Sequence, residues 1–446
     1  MEKWDVVVVG GGLGGWIAAA YAAKGGKRVM LAEKAARFGG RALTVHKKGV
    51  YLNLGGHAIY RDGECFSVLE ELGAAPEGGI PASAGHMVKD GNIHVIPANV
   101  MSLMTTRLLS FRGKIELARL LMELKGLDTA KLPQGSLKEW ADRAIREPEV
   151  RHLIYALCRT ATYAHHPEAQ TVGPVLRQIK HALNGGALYV DQGWSTVVER
   201  LRQSAVQAGA RAEAGKAVAG ITLQPPERTG TEGSLYEIRF ADGELRYANA
   251  VVLAVPPDEC CRLVEGSAKT ALDRWRRQAR PVTAACLDLG MLKLPDPRVQ
   301  FVMGLDSPFL FTNQSRAAKL SDNGMLAVHI MKYHGPSEPD AARDMADLER
   351  MMDLLQPGWR KEVQVRHYLP CITVVHDYDH ISRAEAPGPA VPELPGLYVA
   401  GDWAGHGELL ADAAAASGKR AAEALLRQAD FQQGGSHGYD RAVRTI

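Results

Sequence analysis

Three glycines and one acid carry the first chemical signal. Gly10, Gly12 and Gly15 form a G-x-G-x-x-G run, and Glu33 follows eighteen residues after the last of them. Gly10 permits a tight turn, Gly12 lets a pyrophosphate approach the main chain, and Gly15 lets a helix close on a strand. Leu13 and Gly14, between them, open that helix, whose free amides face an anion. Glu33 can accept hydrogen bonds from both hydroxyls of an adenosine ribose and repels a 2′-phosphate. The pattern predicts a dinucleotide site. By itself it does not separate NAD from FAD.

The elements that must position these residues are a strand over 6–9, the glycine turn, an alanine-rich helix over 16–23 and a strand over 28–32. A short all-apolar strand suits a parallel sheet buried on both faces, and the unit reads as βαβ. The apolar N-terminus is therefore expected to be this first strand rather than a secretion signal. From 98 to 182, Leu108, Leu109, Leu117, Leu120 and Leu124 recur at helical spacing among basic residues, with breaks at Pro148 and Pro167, which predicts an inserted helical region. Strand signals return over 217–221, 236–240 and 251–255. A second excursion mixes strands over 284–289 and 326–331 with a helix over 341–355, and the chain closes with a strand over 397–400 and a helix over 409–427. The predicted class is α/β: a Rossmann-like dinucleotide domain from 1–75, 185–256 and 390–430, and an interleaved α+β substrate domain from 76–184 and 257–389 that includes the helical insertion. Residues 431–446 are expected to be a frayed polar tail.

The segment after Glu33 narrows the cofactor. Lys34, then Gly39, Gly40, Arg41 and Thr44, make a run that resembles the E-x5-G-G-R-x-x-T segment of the flavin amine oxidase superfamily, which includes phytoene desaturase-like and protoporphyrinogen oxidase-like proteins. The resemblance implies FAD, with Arg41 neutralising its pyrophosphate and Gly39-Gly40 running tight beneath it. Gly55-Gly56 resembles the turn beside the flavin ring, which places His57 there, although Asn53 stands where the family often has Asp. Residues 216–221 with 248–257 resemble the strands whose backbone, near Val218, holds adenine; 195–201, after Gln192 and Gly193, resemble the helix entry before them. Residues 395–403, then Gly407 and 413–418, resemble the closing motif, in which Gly401-Asp402 contacts the ribityl-phosphate part. The following helix, with Leu410 in its first turn, would aim its positive end at the pyrimidine side of the ring.

The chemistry this implies is hydride transfer from a substrate C–H to flavin N5, for which the protein supplies alignment and dryness. Phe309, Phe311, Met303 and Met331 are expected either to line the pocket or to be ordinary core. No catalytic residue is fixed by the motifs. His57 is a candidate or a structural histidine, Trp403 either stacks near the ring or packs on the sheet, and His376 with Asp377 reads as a proton relay only if neighbours on a strand shared a face. Cys371 lies thirty residues before Gly401, about where monoamine oxidases attach flavin, but its neighbours Pro370 and Ile372 lack that site's glycines and aromatics, so noncovalent FAD is expected. Lys293 and Lys332 are not in the setting of the amine oxidases' lysine near N5, so amine oxidation in particular is not implied.

The six cysteines show no C-x-x-C spacing, so no metal is expected, and reduced thiols suit a cytoplasmic protein. A formal charge of only +3 gives no field for nucleic acid. Residues 101–125 set five cations among leucines, either a peripheral membrane contact or a lid helix with a solvated face. The expected function is an FAD-dependent oxidoreductase that oxidises or desaturates a largely apolar small molecule and passes electrons to oxygen or a quinone-like acceptor. A flavin-dependent isomerase or mutase, and a non-enzymatic binding protein like the Rab GDP-dissociation inhibitors, are the alternatives.

Overall fold

In the computed structural model, which describes residues 3–82, 84–132, 134–225, 234–335 and 339–442, separate stretches of chain build one sheet. Strand Lys3–Val9 lies parallel between Val29–Glu33 and Leu245–Leu253, and Arg211–Ala214 adds beyond Val29–Glu33. The run of valines is apolar throughout because alternate residues feed different cores. Val6 and Val8 pack with helix Leu13–Lys24, while Val7 and Val9 join a core that includes Cys260 and Leu272 from helices Pro257–Leu263 and Ala271–Gln278. Strand Leu245–Leu253 pairs antiparallel with Tyr236–Phe240 through its first part, and in parallel with Leu397–Val399 through its last residues.

Helix Leu13–Lys24 is buried along most of its length against helices Ser195–Gln207 and Leu410–Ala442. Small residues make that approach possible: a Cβ on Gly418 would stand 2.5 Å from the Gly14 carbonyl oxygen. The last helix continues past the expected start of the frayed tail. No proline interrupts 429–442, so nothing forces the backbone out of helix there; residues 443–446 lie outside the described residues.

A second sheet runs in the order Val363–Val375, Val282–Met291, Leu326–Tyr333, Phe309–Asn313, Phe301–Gly304, His86–Lys89, Asn92–Val95. One face packs on helix Ala341–Leu355 and the other on the helical insertion, which comprises Val100–Thr105, Phe111–Gly126, Leu137–Ala144, Pro148–Thr162 and Val172–Asn184. The class is α/β, as the sequence predicts. Among the described residues no helix is long and apolar enough to cross a membrane.

Candidate functional site: a glycine-lined groove and a braced turn

The glycine turn joins the end of Lys3–Val9 to the following helix. Gly10 adopts a φ of +106°, and a Cβ there would stand 2.4 Å from the Ala254 carbonyl oxygen; one on Gly15 would stand 2.0 Å from the Gly10 carbonyl oxygen. Both positions are closed to any side chain. Gly12 differs, because a Cβ there would meet nothing within 4 Å, so its main chain borders open space of the kind a pyrophosphate needs. Glu33 is buried, and its carboxylate accepts the Gly11 N–H at 2.7 Å and the Ala35 N–H at 2.8 Å. Each oxygen keeps a further acceptor direction for a ribose hydroxyl. The Lys216 N–H donates to the Glu33 carbonyl at 2.8 Å, which brings the strand starting at Val218 to the same edge. Lys34 points outward, 3.8 Å from Glu259.

Gly39 and Gly40 have φ values of +128° and +55°, and the backbone at Gly40 faces Gly12 across 3.8 Å from its would-be Cβ. Arg41, half-exposed, forms a two-pronged pair with Asp402 at 2.8 and 2.5 Å and donates to the Val374 carbonyl at 2.7 Å. Asp402 also accepts the His376 N–H at 2.7 Å. Burial pushes the Asp402 carboxyl up, but Arg41 and His376 beside it hold it well below the usual carboxylate range. Gly401 approaches the first helix at Gly14, whose would-be Cβ stands 3.3 Å from the Gly401 nitrogen, and Leu410 opens the last helix with a φ of +57°. Gly12, Arg41 and Asp402, far apart in sequence, thus converge.

Further along lies the Gly55-Gly56 turn, with Leu54 and Gly55 both at positive φ. The Gly55 N–H donates to Asp288 at 3.0 Å, and the Gly56 carbonyl accepts the Tyr163 hydroxyl at 2.7 Å. Asp288 in turn takes a hydrogen bond with His329 Nδ1 at 2.6 Å and one from the Cys286 thiol at 2.9 Å, all three side chains fully buried. Burial alone would raise the Asp288 carboxyl; His329, the thiol and the Gly55 amide bring it below its ordinary value. Burial pushes the Cys286 thiol up. Nothing in the motifs pointed to Asp288, His329 or Tyr163, although an acid within VTAACLDLGM and a histidine within LAVHIMKY are conspicuous in otherwise apolar strands. His57, whose pKa burial lowers, bonds back to the Gly55 carbonyl at 3.2 Å and meets Trp194 edge-on at 5.3 Å. Asn53 is a knot rather than a groove residue: its carbonyl oxygen accepts from Thr44 and from the Trp194 N–H, just after Gln192-Gly193.

Residues 13–426 match the family described as flavin containing amine oxidoreductase. The chain belongs to this family. Its fold is shared with an oxidoreductase from Methanosarcina mazei (TM-score 0.72, 19% identity, 95% of this chain and 100% of that one). It is likewise shared with putrescine oxidase (0.72, 15%, 95% and 99%) and with cyclohexylamine oxidase from Brevibacterium oxydans (0.70, 15%, 96% and 99%). All-trans-retinol 13,14-reductase from Homo sapiens is 48% identical over 60 residues, 14% of this chain, and that from Macaca fascicularis 47% over 60. The matched stretch spans only 10% of the length of these relatives. The family is one of flavin-containing oxidoreductases.

Within that family frame the remaining candidates separate. Trp403 is core: it is buried beside Trp275, and its indole N–H donates to the Val255 carbonyl at 3.0 Å. His376 and Asp377 follow the strand Val363–Val375 rather than lying on it, and they take different partners: the His376 ring turns to Asp402 at 3.4 Å, while Asp377 accepts the Arg280 N–H at 2.8 Å. Phe309 and Phe311 pack toward helix Ala341–Leu355, on the face of the second sheet away from the turn. Met303 lies in the helical core, and Met331 alone of the four reaches the turn, its sulfur 3.6 Å from a would-be Gly56 Cβ. Ile372 reaches Gly55 from the neighbouring strand, so its sequence neighbour Cys371 is left exposed.

Proposed function

We propose that this chain binds one FAD without a covalent bond and oxidises or desaturates a largely apolar small molecule, passing the electrons to oxygen or a quinone-like acceptor. The observation that carries this reading is the convergence of the open main chain at Gly12, the Glu33 carboxylate, Arg41 and Asp402 on one side with the braced Gly55-Gly56 turn beyond them. These residues fit a flavin dinucleotide: a cradle left free of side chains, a carboxylate with acceptor directions to spare, and a half-exposed guanidinium. A bound flavin supplies a hydride acceptor. The protein's part is positional. Asp288 and Tyr163 fix the turn, Met331 and Ile372 keep its surroundings apolar, and burial lowers the pKa of His57 beside it.

Noncovalent attachment is supported by the outward face of Cys371. A substrate other than an amine is supported by Lys332, held by Asp344 at 2.7 Å and Asp347 at 2.6 Å, and by Lys293, exposed beside Glu362. The short match to retinol reductases favours a second direction of the same chemistry, hydrogen addition to a conjugated double bond. Anaerobic mixing with polyenes, porphyrinogens, amines and amino acids tests the reading. Lasting bleaching of the flavin by an apolar substrate is expected, or recovery of colour when a polyene meets the pre-reduced protein. Bleaching by amines alone overturns the substrate class, and turnover with no lasting reduction points to an isomerase.

A further inference from the structure

Of thirteen large apolar side chains exposed among the described residues, eight lie between Ile93 and Met122. The helix Val100–Thr105 has no buried residue, yet it is firmly specified: Asn99 accepts the Ser102 N–H at 2.8 Å, and the Ser102 hydroxyl accepts the Asn99 N–H at 3.1 Å. A short helix closed by its own capping box, with Val100, Met101 and Met104 turned to solvent, is half of an interface. The next helix, Phe111–Gly126, carries two apolar stripes. Leu117, Leu120 and Leu124 point into the helical core, whereas Phe111, Ile115 and Met122 point out, Val100 being 80%, Phe111 73% and Met122 69% exposed.

Cations border the outward stripe on both sides. At about 100° per residue, Lys114 and Lys125 flank it on one edge and Arg112 and Arg119 on the other, with Glu116 and Glu123 further round. Glu116 is occupied by the N–H groups of Arg146 and Glu147, and Glu123 by Arg119. Arg107, Arg112 and Lys125 pair with no carboxylate among the described residues.

We propose that this face docks on the surface of an anionic lipid bilayer, the outward stripe entering the headgroup boundary and the flanking cations meeting lipid phosphates. Charge selects the lipid over a second copy of the chain, since a symmetric pairing would bring the same cations face to face. The docked helices cover the insertion whose inner side reaches Tyr163 and Met331 beside the Gly55-Gly56 turn, so a molecule dissolved in the bilayer would arrive one helix layer from the site. The inference is independent of the cofactor assignment.

Flotation of the purified full-length protein with vesicles of phosphatidylcholine alone, or with about 30% phosphatidylserine, tests it. Association with the anionic vesicles is expected to exceed that with neutral ones about ten-fold and to fall with salt, and Phe111→Glu/Met122→Glu is expected to abolish it while leaving thermal unfolding unchanged. Absence of association with anionic vesicles, equal association with neutral ones, or a lipid-free dimer that the same double variant dissolves each overturns the proposal.

Discussion

At the scale of single residues, two carboxylates bear most of the weight. Glu33 already satisfies two backbone amides, so Glu33→Ala loses the acceptor for the ribose and leaves the Gly11 and Ala35 N–H groups without their partner. Hydrogen bonds to a charged group contribute about 1.5–3 kcal/mol each, so FAD affinity is expected to fall by about ten- to a hundred-fold. Titration of the flavin-free protein followed by flavin fluorescence measures this, and an unchanged Kd contradicts the assigned role. Asp288 braces the turn from within the second sheet. Asp288→Ala strands the Gly55 amide and His329 in a dry interior, and a loss of about 2–4 kcal/mol in urea unfolding is expected. A variant as stable as the parent would mean that this cluster does not hold the turn.

At the scale of elements, the groove depends on how closely the first and last helices approach. Gly418→Val drives a side chain into the Gly14 carbonyl, 2.5 Å from the would-be Cβ, and is expected to cost about 1–3 kcal/mol and to lower flavin content with it, read by thermal unfolding and absorbance. Asp412, in the first turn of the last helix, accepts the Cys65 N–H at 2.8 Å and so ties that helix to Glu64–Glu71. Burial pushes its carboxyl up to about 7. Because this lies above the unfolded value of about 3.9, the stabilising contribution is complete below that pH and is lost as the pH rises through 7. Asp412→Asn keeps an acceptor and removes the titration, so its melting temperature is expected to decline less than the parent's between pH 5 and 8. Parallel profiles would show that the group does not titrate in the fold.

At the scale of the whole molecule, what could be read from the sequence tracks contiguity. Gly10 to Thr44 is one unbroken stretch, so its first three glycines and its acid could be read by spacing, and Gly39, Gly40 and Arg41 by their resemblance to the flavin amine oxidase segment. The core strands and the helical insertion were legible from apolar periodicity, while short strands such as His86–Lys89 and Phe301–Gly304 were not, being too brief to show a period. The Asp288 cluster was hidden for a different reason. His329 lies 41 residues away along the chain and Gly55 lies 233 away, and only pairing of Val282–Met291 with Leu326–Tyr333 brings the first two together. The exposed helices at 100–126 showed their cations in sequence, but whether their apolar residues face in or out depended on where the second sheet lies. Every level meets in one claim, that a single FAD is held by contacts alone in the groove lined by Gly12, Glu33, Arg41 and Asp402. Heat precipitation of the purified protein, with the flavin in the supernatant measured by absorbance and chromatography, tests that claim most directly: about one FAD per chain should be released, whereas flavin that stays with the precipitated chain, or a protein that is colourless and remains so with added FAD, would contradict it.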